Sequence, residues 1–211
     1  GLGYIEGEDN TGKYLYRQRA AFGLPPKERD GKPVRTLRIP RGITIPCWSD
    51  GDHTQALRVR IRKRNADLAE GEDKYILIAQ PAPPYSAPLR LAPIGVAPEL
   101  ATWAVVESEL DAMLIHHACG GKIGALAILT ASGKPDAAAH AALSAAARIL
   151  MVMDWDAKPD GDIPTASNWR WWRDRYPQAK LWPVPTGKDP GEAFAKGVDI
   201  REWLRGGCPA S

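Results

Sequence analysis

The chain has 211 residues, 28 Lys and Arg against 25 Asp and Glu, a net charge of +3 and 44% hydrophobic residues. That length allows one ordinary domain or two small ones, and that apolar content excludes wholesale disorder. No apolar run approaches the ~20 residues of a membrane span, and Gly1-Leu2-Gly3-Tyr4 lacks the basic-then-apolar form of a signal peptide.

The chain starts without Met and is read as an excised fragment. Cys47, Cys119 and Cys208 are too few and too scattered for a disulfide framework, and no Cys/His cluster has zinc-ligand spacing. Three reduced thiols, no membrane and a cytoplasmic location are the expectation. The small net charge hides an asymmetry. Residues 1–98 carry +5 and residues 99–211 carry −2. Such a split points to one part that meets polyanions and another that holds cations.

Taken in chain order, residues 1–80 read as a strand-rich unit. Gly7 and Gly12-Lys13 have the spacing of a phosphate loop. Tyr14 stands where Ser or Thr belongs, however, and no apolar strand precedes Gly7, so the match is read as chance. Leu37–Ile39, Ile43–Cys47, Leu57–Ile61 and Tyr75–Ala79 are short apolar or alternating runs separated by Gly, Pro and Asp. Leu57 to Arg62 alternates strictly and puts Arg58, Arg60 and Arg62 on one face, with Lys63 and Arg64 following. That face is either solvated or a surface for phosphates. Six prolines from Pro81 to Pro98 exclude helix and central strand, so residues 81–99 read as a connector.

Residues 100–211 have another rhythm. Ala101–Val106, Ala125–Leu129, Ile149–Met153 and Lys180–Val184 are strand runs. Glu109–Ala118, Pro135–Ala147 and Thr165–Tyr176 are helix-like. The alternation predicts βαβ units with a parallel sheet, whose ligands bind beyond the carboxyl ends of the strands. His116-His117 and the pair Trp169 and Trp172 are expected to serve the structure.

Those carboxyl ends carry acids. The first run leads into Glu107, with Asp111 one helical turn on. The third leads into Asp154-Trp155-Asp156, and the last is followed by Lys188-Asp189-Pro190. Any one of these acids alone is commonly a cap or a solvated loop group. Gathered in one cleft they repel one another, and Mg²⁺ or Mn²⁺ removes the cost, because hard divalent ions prefer oxygen ligands.

Val105-Val106-Glu107-x-x-x-Asp111, Met153-Asp154-Trp155-Asp156 and Lys188-Asp189-Pro190 resemble the Toprim domain of topoisomerases, primases and related nucleases, over roughly residues 100–204. Phe22-Gly23-Leu24-Pro25, the stretch from Ile39 to Pro46, the arginine strand and Lys74-Tyr75-Ile76 are similar to the amino-terminal subdomain of the bacterial-type primase polymerase core, most of all that of phages and mobile elements. The resemblance implies an α/β fold, with a strand-rich mixed subdomain followed by a Rossmann-like parallel sheet flanked by helices. It implies a DNA-directed RNA polymerase of the primase type, making RNA primers on single-stranded DNA from nucleoside triphosphates.

It also implies catalytic roles for Glu107, Asp154 and Asp156, and two Mg²⁺ or Mn²⁺ ions held by those three with Asp111 and Asp189. Arg41, Arg60, Arg62, Lys74, Tyr75 and Lys188 are implied to bind nucleotide and DNA. Ser108 stands where the family has glycine, and Trp155 where it has a small residue. The family's zinc module and helical subdomain are read as missing. This fragment is therefore expected to hold no zinc and to meet a replicative helicase only through those regions. A metal-dependent Toprim nuclease and a non-catalytic nucleic-acid-binding module remain alternatives, and a topoisomerase is the weakest.

Overall fold

In the computed structural model, which describes residues 2–47, 58–79, 89–95, 101–130, 132–154 and 166–209, contacts divide the chain into two units, Gly1–Ala87 and Pro88–Ser211. Leu57, Trp155, Asp156 and most of the proline-rich stretch lie outside the described residues.

The first unit holds β1 (Gly3–Ile5), β2 (Tyr14–Gln18), β3 (Lys27–Arg29), β4 (Lys32–Val34), β5 (Thr36–Pro40), β6 (Gly42–Cys47), β7 (Arg58–Lys63) and β8 (Tyr75–Ala79). An antiparallel sheet runs β1-β6-β7-β8, and β2 pairs with β5. β3 and β4 form a small hairpin. Its turn is Asp30-Gly31, both at positive φ, as two-residue hairpin turns require.

The period of two decides β7. Ile61 is fully buried against Leu24 and Ile39, while Arg62 points to the other face. Lys63 returns to the apolar side and is also buried, its Nζ 2.7 Å from Glu72 Oε1. It is a paired core lysine and no part of the arginine face. Gly42 pairs with Lys63, and a Cβ on Gly42 would lie 2.1 Å from the Arg62 carbonyl oxygen, so only glycine lets β6 approach β7 there.

The second unit holds β9 (Leu89–Leu91), β10 (Thr102–Val106), α1 (Glu109–Ala118), β11 (Gly124–Ala127), α2 (Ala137–Ser144), β12 (Arg148–Met151), α3 (Ala166–Arg175), β13 (Ala179–Leu181), α4 (Pro190–Ala195) and α5 (Ile200–Arg205). The sheet order is β13-β12-β10-β11-β9. The first four strands are parallel and β9 is an antiparallel edge, where a proline-flanked strand is tolerated.

β10 and β11 are buried at every residue, as a sheet covered on both faces demands. Trp103, Val105 and Leu126 pack on Leu143, Trp172 and Tyr176 of the α2–α3 side. Ala104, Val106 and Ala125 pack on Ile115, Ile200 and Leu204 of the other side. Trp172 is fully buried and Trp169 packs on the same cluster, so both serve the core. α2 is shorter than the 135–147 expected, since Asp136 caps its start. α4 and α5, both short, have no counterpart in the sequence reading.

Candidate active site at the strand ends

β13, β12 and β10 are neighbours, so the residues after each strand meet at one edge of the sheet. Glu107 follows β10, Asp154 follows β12 by three residues, and Lys188-Asp189 follows β13 and opens α4.

Ser108 caps α1. Its hydroxyl oxygen accepts the Asp111 N–H at 3.1 Å, and the hydroxyl donates to Asp111 Oδ2 at 2.5 Å. Asp111 Oδ1 accepts the N–H of Gly191 at 3.0 Å. Buried and satisfied from both sides, Asp111 ties the first turn of α1 to the first turn of α4. Burial raises its pKa, the charge of Asp189 adds to this, and the Ser108 and Gly191 donors oppose it.

Asp189 caps α4. Its Oδ1 accepts the Glu192 N–H at 2.7 Å and Pro190 opens the helix. Glu192 Oε2 in turn accepts the Lys188 N–H at 3.3 Å. Gly187, at φ +79°, makes the preceding turn. Lys188 Nζ stands 4.0 Å from Asp154 Oδ2 and 3.9 Å from Asp189 Oδ2.

Asp154 is more strongly perturbed than Asp111. Burial, then the charges of Glu107 and Asp189, push its pKa up to about 7, against the pull of Lys188. The same effect of Glu107, Asp189 and Asp111 on Asp154 means that these four carboxylates share one neighbourhood. Across the strand end, Leu129 donates its N–H to the Glu107 carbonyl at 2.9 Å. It does so at φ +68°, a region a leucine enters at a cost of about 1–3 kcal/mol, and such strain gathers at functional sites.

Of the five acids, Glu107, Asp111, Asp154 and Asp189 come together, with Lys188 beside Asp154 and Asp189, and Asp156 lies outside the described residues. Among the described residues no three His, Cys, Asp or Glu side chains are placed to hold a metal ion. Both Asp111 oxygens and Asp189 Oδ1 already accept protein donors. The donor chemistry still fits a hard cation, since Glu107 and Asp154 offer carboxylate oxygens and the repulsion on Asp154 is what a divalent ion relieves. Ser108 departs from the family's glycine, and Ser108-Glu109-Leu110-Asp111 has the form of a capping box, the local signal for this contact. No local signal marks the Gly191 N–H.

In the first unit, Arg41 grips Asp67 with both arms of its fork, Nε to Oδ2 at 3.0 Å and Nη2 to Oδ1 at 2.9 Å, and holds that carboxyl below its usual range. Arg62 donates to the Lys63 carbonyl and to Asn65 Oδ1. It stands in register with Tyr75, which is half-buried, while Lys74 is exposed. Only the backbone of Arg60 is described. The loop before β2 is no phosphate cradle: Asp9 Oδ1 accepts the N–H groups of Thr11, Lys13 and Tyr14, so a carboxylate of the chain occupies the nest.

No protein-family model and no curated protein matches the chain. Solved structures do. The RNA polymerase domain of Mycobacterium tuberculosis primase DnaG, in complex with a double-stranded DNA oligomer with a 6-nucleotide overhang, has a TM-score of 0.56 and 18% identity. The match covers 86% of this chain and 57% of that one. A DNA primase domain from Pseudomonas aeruginosa has a TM-score of 0.53 and 16% identity, over 97% of this chain and 64% of that one. The chain thus spans less than two thirds of the length of either. The likeness is one of fold: this chain is built on the fold of bacterial primase RNA polymerase domains.

Proposed function

We propose that the chain performs metal-dependent nucleotidyl transfer, making short RNA primers on a single-stranded DNA template from nucleoside triphosphates. The observation that carries this is the gathering of Glu107, Asp154, Asp111 and Asp189, with Lys188 beside Asp154 and Asp189, at the ends of three neighbouring parallel strands, in a chain with a primase fold.

In this reading residues 100–211 form a Toprim domain. Glu107 and Asp154, with Asp156, hold Mg²⁺ or Mn²⁺, and the ion when bound supplies charge neutralisation at the transferring phosphoryl group. Asp111 keeps the α1 and α4 turns in place beside them. Lys188 exchanges its carboxylate neighbours for phosphate oxygens of the incoming nucleotide. Arg60, Arg62, Lys74 and Tyr75 hold the template and nucleotide phosphates in a sequence-tolerant contact. The DNA bound to the Mycobacterium tuberculosis domain supports a DNA partner.

The test is primer synthesis on single-stranded DNA with labelled nucleotides and Mn²⁺, by the chain and by Asp154→Asn. Product from the first and none from the second is expected. Equal product from both removes the acids from the chemistry.

A second reading, a nucleic-acid-binding module without transfer, has one observation in its favour: the described residues hold no ready three-ligand set for a metal. It requires DNA binding that neither Mn²⁺ nor a chelator changes.

A further inference from the structure

The sheet of the second unit has a second feature at its other end. Thr102, Ile123 and Ala147 stand at the amino ends of β10, β11 and β12, and there they border a cavity of about 610 Å³. The acidic residues lie at the carboxyl ends of these strands, so the two places are separated by the length of the sheet. That volume is in the range of small-molecule pockets, roughly 300–1,000 Å³.

The lining is of two kinds. Ile123 and Cys119 make apolar wall, and Cys208 closes it from the chain beyond α5. Both thiols are free, and burial pushes that of Cys119 up to about 11, so it is an apolar surface at neutral pH. Lys122, Arg201 and Arg205 line the same cavity, and among its described lining residues there is no carboxylate. Arg201 is fixed there by its Nε donating to the Ala118 carbonyl at 2.8 Å.

Arg205 is ion-paired with Glu202 just outside the lining at 2.9 Å, and Asp199 acts on the Cys119 thiol. Lys122, Arg201 and Arg205 outnumber these two acids, and the positive charge left beside the apolar wall favours an anion. The wall favours an apolar body on that anion. We propose that this cavity binds an amphipathic small anion, a ring-bearing apolar body with a carboxylate, sulfonate or phosphate group. The proposal is independent of primer synthesis.

The probe is 8-anilinonaphthalene-1-sulfonate, which joins fused and pendant rings to one sulfonate and fluoresces when desolvated. The folded chain is expected to bind it at one saturable site. Lys122→Glu with Arg205→Glu should raise its Kd at least tenfold, and Asp154→Asn should leave the Kd within twofold. In the unmodified chain, the saturated probe should slow iodoacetamide alkylation of Cys208 at least fivefold, read by peptide mass spectrometry. This second readout needs no variant to fold. Absence of a saturable site, an unchanged Kd in the double variant, or no protection of Cys208 would each overturn the proposal.

Discussion

The N–H of Gly191 donates to Asp111 Oδ1 at 3.0 Å, joining residues 80 positions apart. The other Asp111 oxygen receives the Ser108 hydroxyl. One carboxylate thus holds together the two helix starts that border the acidic cluster. Ser108→Ala removes a helix cap and one of the two donors. It should cost about 1–2 kcal/mol in urea unfolding and raise the Asp111 pKa further, since the lost hydroxyl opposed that rise. No loss of stability would make the contact incidental.

Asp154 should make the protein less stable as pH rises. Its carboxyl goes from an ordinary 3.8 to about 7 in the folded state, so the folded state binds the proton more tightly than the unfolded one. Stability is then highest below about pH 4 for this group and falls through pH 7, by roughly 2–4 kcal/mol in total. Asp154→Asn should flatten the urea-stability profile between pH 4 and 8 in the absence of metal, and Lys188→Gln should steepen it. A variant profile parallel to that of the unmodified chain would show that Asp154 does not titrate in this window.

Relief of that repulsion by a cation gives a separate expectation. Mn²⁺ at about ten times its Kd should stabilise the chain by roughly 1.4 kcal/mol, raising Tm by about 3–6 °C. The shift should be larger at pH 8 than at pH 6, because the ligand must lose its proton first. Thermal melts at fixed ionic strength decide this. An equal shift in Asp154→Asn would place the ion elsewhere.

Gly42→Ala should cost about 3 kcal/mol, because the new methyl would meet the Arg62 carbonyl inside the β6–β7 ladder. Chemical denaturation measures it. A cost under 0.5 kcal/mol would mean that β6 and β7 part easily at that point.

The arginine face makes a prediction in salt. If Arg60 and Arg62 each neutralise a phosphate, replacing both by Ala should lower the slope of log K against log salt by about 1.4 for single-stranded DNA, alike for all sequences. Anisotropy titrations at four salt concentrations measure the slope. An unchanged slope would leave the strand a solvated face.

Several elements were readable without coordinates because their signals are local. Tyr75–Ala79 and Glu109–Ala118 have the bounds expected from apolar period and polar punctuation. β1, β3, β4 and β9, of three residues each, carry too few side chains for a period to show. The Asp30-Gly31 hairpin was legible in principle, since that dipeptide is a turn signal. The edge strand β9 forms only because β11 offers its backbone, which no window of sequence contains.

The chain's own order of residues determined the two rhythms, the arginine alternation and the placing of acids directly after apolar runs, since each rests on neighbours within a turn or a strand. Only the tertiary structure decided which of those groups meet. It set β13, β12 and β10 side by side, so that burial, with the charges of Glu107 and Asp189 added to it, lifts the Asp154 pKa to about 7. It turned Lys63 inward to Glu72, gave the Arg41 fork to Asp67 and filled the glycine loop with Asp9. Charge and hydrogen-bonding capacity are written in the sequence. Which partner takes them depends on distances of 3–4 Å between residues far apart along the chain, and these exist only after the sheets have closed.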